Sequence, residues 1–170
     1  TQSVDDVNYK VFKANKTEIS QLLTDKNYVQ FDNYLRLMKI VTSATDEKTK
    51  TIDDAKVLKE GEGLLPKEDL QKSLNIYKLN YYISHENYQG YEKTALEYYK
   101  NTDEFNASEL LAAAGVFNDH ISNPKSLQMA ARWAEKVVMS QENFDSTSIL
   151  ASLYDKLGKK DEAKMFAGMA

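Results

Sequence analysis

The sequence predicts an all-α fold made of antiparallel helical hairpins, and three observations carry that prediction. Two stretches of the last third echo one another at a spacing of 33 residues: Phe117, Ile121, Ala130, Trp133, Ala134 and Val137 are answered by Leu150, Tyr154, Ala163, Phe166, Ala167 and Ala170. Each match is apolar to apolar, and small residues return at 130/163 and 134/167, as stacked helix-turn-helix units require. Glycine and proline number only eight in 170 residues, while Ala, Leu, Lys and Glu are plentiful, so helix formers meet few breakers. Caps, turns and apolar period also agree with one another from residue 67 to the end.

The elements follow in order. Residues 1–12 mix Val4, Val7, Tyr9, Val11 and Phe12 with acids and show weak periodicity. Asn15 and Glu18 have capping-box spacing ahead of a short helix over about 16–25 carrying Ile19, Leu22 and Leu23. A second helix, about 28–43, places Phe31, Tyr34, Leu35, Met38 and Val41 at helical spacing. The polar run 42–51 reads as a loop, and a short helix over about 52–60 ends at Gly61 and Gly63. Residues 1–65 thus form an irregular helical N-terminal segment, expected to cap the regular hairpins of 66–170.

Pro66 suits a first helical position, and Glu68 and Asp69 favour the dipole of a long helix over about 67–86 with Leu70, Leu74, Tyr77, Tyr81 and Ile83 on its apolar side. The next helix spans about 88–101 on Tyr91, Ala95 and Tyr98. Asn106 with Glu109 makes a capping box for a helix reaching about His120. Asn123 caps and Pro124 opens the helix of Met129, Ala130, Trp133, Ala134 and Val137. Asp145 or Ser146 caps the helix of Ile149, Leu150, Leu153, Tyr154 and Leu157; Gly158 stops it, and Asp161 with Glu162 begin the last one.

The segment 148–170 resembles a tetratricopeptide repeat through Leu150, Ala151 and Tyr154, the Gly158 turn, and the small residues Ala163, Ala167 and Ala170. The unit at about 107–140 departs from the pattern, with Lys125 at the turn-glycine position and Asn118 at the first small position; the unit at about 68–101 is degenerate. The resemblance implies a short right-handed solenoid whose first helices line a concave groove. The order Trp133-Ala134-Glu135-Lys136-Val137, then Ser146-Thr147, then 157–163 also resembles the helical region C-terminal to the thioredoxin domain of bacterial envelope proteins. That likeness implies a periplasmic or cell-envelope protein, and an accessory, non-catalytic portion of a thiol-disulfide oxidoreductase or isomerase. The Trp-Cys-x-x-Cys motif of such domains is absent here, so their redox chemistry falls on no residue of this chain. The start at Thr1 rather than Met carries the expectation of a removed leader or of excision from a longer chain.

Composition narrows the partners. A net charge of -4 and only two arginines, Arg36 and Arg132, argue against sequence-independent nucleic-acid binding and offer few donors for a phosphate clamp. No cysteine is present, which removes disulfides and thiolate metal sites, and no apolar run approaches membrane-spanning length. His85 and His120 have no companions at metal spacing. The acid pairs Asp53-Asp54, Asp103-Glu104 and Asp161-Glu162 fall at helix starts or loops, where capping explains them. No cofactor, metal or catalytic residue is therefore expected, and the expected partner is a protein or peptide.

The repeat register sends Asp119, Ser122 and Asn123 from one unit, and Asp145, Ser148, Ser152, Asp155 and Lys156 from the next, toward the groove. Such a groove is small, polar and mildly acidic, suited to a basic or polar extended segment; a stand-alone adaptor for a peptide or glycan is the alternative to the redox-associated role. Seven of eleven tyrosines lie between 77 and 99. Tyr77 with Tyr81 and Tyr91 with Tyr98 follow core spacing, while Tyr82 and Tyr99 lie off those stripes and are the surface candidates. Met165 and Met169 form a second apolar stripe beside Ala163 and Phe166, which predicts an interface there, a homodimer included.

Overall fold

The computed structural model describes residues 3–170. Ten α-helices are described: α1 Val7–Ala14, α2 Lys16–Leu23, α3 Asp25–Ser43, α4 Asp54–Glu60, α5 Lys67–Ser84, α6 Tyr88–Tyr98, α7 Ala107–His120, α8 Pro124–Ser140, α9 Phe144–Lys156 and α10 Lys160–Ala167. The all-helical expectation holds, with one exception of four residues. The chain divides into two compact units, Thr1–Lys78 and Leu79–Ala170, with the division falling inside α5.

In the first unit the weakly periodic start forms α1, capped by Asp6, whose carboxylate accepts from the Asn8 amide. Its one buried residue, Phe12, stacks on Tyr28 of α3 at 4.3 Å between ring centroids. The stripe of α3 that turns inward is Tyr28, Asp32, Leu35 and Val41, together with Leu37. Phe31 and Tyr34, expected in the core, are exposed, and Met38 is half-buried. The cause is Asp32: it turns inward to accept from the Tyr9 hydroxyl at 2.6 Å and the Lys13 ammonium at 2.8 Å. Only a helical α1 supplies those partners, and the sequence did not reveal α1.

The expected Asn15–Glu18 capping box is absent. Asn15 makes no side-chain cap to α2 and instead donates from Nδ2 to the Val11 carbonyl at 2.8 Å. Thr24, the single residue between α2 and α3, has φ 72° and ψ 150°. This region is populated almost only by glycine and costs a β-branched residue about 1–3 kcal/mol.

The polar run 42–51 is more ordered than a loop. After α3 ends at Ser43, β1 (Thr45–Asp46) pairs antiparallel with β2 (Thr51–Ile52) in the register Thr45 to Ile52 and Asp46 to Thr51. Threonines favour the extended backbone, and the Asp46 carboxylate closes the turn by accepting from the amides of Lys48 and Thr49. The amides of Thr49 and Lys48 hold the Asp46 carboxyl below the usual range. Asp53 then caps α4, and Asp54 forms a 2.6 Å ion pair with Lys78 of α5. Gly63, at φ 80°, takes the left-handed turn after α4.

The second unit follows the predicted hairpins closely. The Asn106–Glu109 capping box opens α7, and Asn123 with Pro124 opens α8. The cap of α9 is Asn143 rather than Asp145 or Ser146; Asn143 and Ser146 exchange capping-box hydrogen bonds, so Ser146 occupies the third helical position. Gly158 adopts φ 75° in the turn that follows α9, as expected. Packing runs α7 on α8, α8 on α9 and α9 on α10, with α7 also touching α9, and α6 touching α7 and α8.

The echo residues account for this packing. Phe117, Ala130, Trp133, Ala134, Val137 and Leu150 are almost wholly buried, and Phe117 meets Trp133 edge-on at 5.0 Å. From α10 onward the pattern fades: Ala163 is buried and Phe166, stacked on Tyr154 at 5.7 Å, is half-buried, but Ala167 and, beyond the helix, Ala170 are exposed.

Candidate functional site

Two helices of the second unit, α7 and α9, leave a shallow hollow of about 400 Å³ between them. Ser108, Leu111, Ala112 and Gly115 line it from α7, and Asp145, Ser148 and Ile149 from α9. The spacings 108/111/112/115 and 145/148/149 are each one face of a helix, so the hollow is an elongated groove along both. Its floor is formed by small and aliphatic side chains. Gly115 leaves it open: a Cβ there would sit 3.6 Å from Ile149 Cδ1, in ordinary contact.

The predicted groove residues fall partly on this surface. Ser148 lines it, as does Asp145. Asp119 lies one helical step beyond Gly115, and Ser152 one step beyond Ser148, so both continue the same faces. Asp155 is engaged at its end by Lys160, with 2.7 Å between the charges, and the Lys156 ammonium donates to the Asn118 carbonyl, tying the end of α9 to that of α7. Asn118 also donates to Asp119 at 3.0 Å. Asn123 serves the backbone, accepting from the Lys125 amide at 3.0 Å, and Ser122 beside it is exposed. Among the described residues no ion pair engages Asp119 or Asp145, so a carboxylate stands toward each end of the groove, with the Lys156 ammonium also at the Asp119 end.

Leu111, Ala112, Gly115 and Ile149 escaped sequence reasoning. The α7 run Leu-Leu-Ala-Ala-Ala-Gly-Val is apolar nearly all round, so its pattern does not distinguish the face toward the core from the face toward solvent.

Two candidates are corrected. Tyr82 and Tyr99 are buried, at 5% and 8% exposure, and form no surface. The Tyr82 ring lies over Gly90, where an added Cβ would come within 3.0 Å of it, so the glycine makes room for a ring that the α5 stripe alone would place outside. Tyr99 joins a cluster with Phe105 at 4.8 Å and Trp133 at 5.5 Å, drawn inward by the short 3₁₀ turn Thr102–Glu104 that ends α6 earlier than expected. Burial pushes the Tyr99 hydroxyl up to about 12, with the neighbouring Tyr98 and Glu109 adding to the shift. Tyr77 and Tyr98 are half-buried, and Ile83, expected in the core, is exposed.

Met165 and Met169 are 54% and 43% exposed; α10 ends at Ala167, so Met169 lies beyond the helix. The acid pairs and histidines have local roles. Asp53 caps α4, Asp103 takes a 2.5 Å ion pair from Lys136, and Asp161 and Glu162 sit in the first turn of α10. His120 stacks on Tyr88 at 3.9 Å, and His85 stacks on Tyr81 at 4.0 Å. Among the described residues no three His, Asp or Glu side chains come together as a metal site, and no helix is long and apolar enough to cross a membrane.

No protein-family model, curated protein or solved structure matches this chain. The tetratricopeptide and thioredoxin-family resemblances therefore rest on the residues quoted for them in the sequence.

Proposed function

We propose that the second unit is a non-catalytic binding module that takes an extended polypeptide segment in the groove between α7 and α9. In this reading α7/α8 and α9/α10 are two successive hairpins of a short solenoid, and the groove is the inner surface formed by their first helices. One observation carries it: two packed helices present an open, shallow groove with a small-residue floor, Asp145 at one end and Asp119 one turn beyond Gly115 at the other, neither in an ion pair among the described residues. An extended chain fits such a channel because its side chains project alternately, and a small or aliphatic one can rest on Ala112, Gly115 and Ile149. Lysine or arginine on the same segment complements the carboxylates, which act on association rate and partner choice. The periplasmic or envelope location and the accessory role beside a thioredoxin domain extend this proposal and rest on the short motif around Trp133.

The test is a peptide array probed with wild type and with an Asp119→Lys, Asp145→Lys double variant. Wild type is expected to retain peptides combining basic and small or aliphatic residues, with retention falling as salt rises. Equal retention of basic and acidic peptides by both proteins would overturn the assignment.

A further inference from the structure

Helices α2 and α3 are separated by Thr24 alone, and Thr24 has φ 72° and ψ 150°. A threonine in that glycine region crowds its own Cβ against the backbone. Were Thr24 in the right-handed helical region, the two helices would run on as one from Lys16 to Ser43, about 42 Å long at 1.5 Å per residue. The last carbonyls of α2 and the first amides of α3 would then satisfy one another.

What α2 gains from folding back is small. It contains no buried residue, Leu22 and Leu23 are 83% and 44% exposed, and the buried Ser20 hydroxyl has no partner among the described residues. Within the bend the Thr24 hydroxyl caps α3 by accepting from the Asn27 amide at 3.3 Å, and the larger set of contacts that holds it comes from α1. Phe12 stacks on Tyr28, the Tyr28 hydroxyl approaches the Phe12 carbonyl at 3.4 Å, and Tyr9 and Lys13 both bind Asp32. These contacts and a joined helix exclude one another. In a joined helix Lys16 lies about 18 Å along the axis from Tyr28, whereas Phe12 in helical α1 is only about 6 Å from Lys16.

We infer that Thr24 is a hinge held bent by α1: release of Tyr9, Phe12 and Lys13 from α3 lets α2 and α3 join into one continuous helix, carrying α1 outward as an arm. The bend stores strain that release recovers, so the segment has two discrete arrangements with the Tyr9–Asp32–Lys13 contacts as the latch.

Because the chain has no cysteine, spin labels placed at Glu18→Cys and Thr42→Cys in the full chain report this distance without further changes. A joined helix puts these positions about 36 Å apart. Wild type is expected to give the shorter folded-back distance. Tyr9→Phe with Asp32→Asn is expected to populate the long distance while circular dichroism keeps its helical intensity. Adding Thr24→Gly to that variant is expected to lower the long population about fivefold, the scale of relieving one glycine-only conformation, and Thr24→Ala to raise it. In wild type, Thr24→Gly alone is expected to raise the unfolding midpoint, which tests the stored strain even where the latch variant folds poorly. The hinge is overturned by an unchanged distance in the latch variant carrying Thr24→Ala, by loss of helical intensity on release, or by a lowered midpoint for Thr24→Gly.

Discussion

Gly115 of α7 faces Ile149 of α9 across the groove, near enough that a methyl group on the glycine would touch the isoleucine Cδ1 at 3.6 Å. Glycine inside a helix costs about 1 kcal/mol relative to alanine. Gly115 has no positive φ to justify that cost, so its contribution is the space it leaves. Gly115→Ala is therefore expected to stabilise the chain by up to about 1 kcal/mol in urea unfolding, with little change in groove shape.

Trp133 is fully buried between Phe117 and Tyr99, and its indole Nε1 has no partner among the described residues. Trp133→Ala is expected to cost about 3–5 kcal/mol through the cavity it leaves. Trp133→Phe is expected to cost less than half as much, because it keeps most of the ring and removes a buried, unsatisfied donor. Equilibrium unfolding followed by circular dichroism separates the two.

The cap of α9 discriminates the structural assignment from the one its sequence suggests. Asn143→Ala is expected to cost about 1 kcal/mol by losing the Ser146 amide bond, whereas Asp145→Ala loses at most about 0.5 kcal/mol of dipole interaction. Equal losses would contradict the assigned boundary.

The Asp32 latch predicts how stability responds to pH. Burial alone would raise the Asp32 carboxyl, but hydrogen bonds from Lys13 and Tyr9 and the charges of Lys13 and Arg36 hold it below the usual carboxylate range. A depressed folded value means this stabilisation is present above about pH 4 and is lost as pH falls through the folded value. Burial, followed by the bond to Asp32 and its charge, pushes the Tyr9 hydroxyl up to about 12. A raised folded value means that contribution is full below about pH 10 and is lost as pH climbs toward 12. Asp32→Asn is expected to remove the acid-side loss contributed by this site, and Tyr9→Phe the alkaline one, in unfolding midpoints measured across pH.

The second unit was the more legible half, for a physical reason. Its helices are joined by short turns whose Asn, Pro and Gly residues act locally, so Asn106, Asn123 and Gly158 announce their roles in sequence. The first unit depends on contacts between residues far apart in the chain. Asp32 is buried only because Tyr9 and Lys13 meet it, and that inversion of polarity turns α3 away from the face its apolar residues suggest. Tyr82 and Tyr99 were misplaced for a related reason, since a ring over Gly90 and a turn at 102–104 bring them inside. The register of the echo places Ser148 and Ser152 on α9 and Asp119 on α7, the two helices that flank the hollow, while the groove floor stayed hidden in the uniform apolarity of α7.

The groove itself is tested most directly by filling it. Gly115→Leu adds a branched side chain at a position whose Cβ already lies 3.6 Å from Ile149 Cδ1, and is expected to fill the groove. Titration of both variants and wild type with a fluorescent extended peptide rich in lysine and alanine, chosen from the array, gives the decisive comparison. The account predicts that Gly115→Ala binds within about twofold of wild type and that Gly115→Leu, equally folded, loses about tenfold or more. Undiminished binding by Gly115→Leu would contradict it.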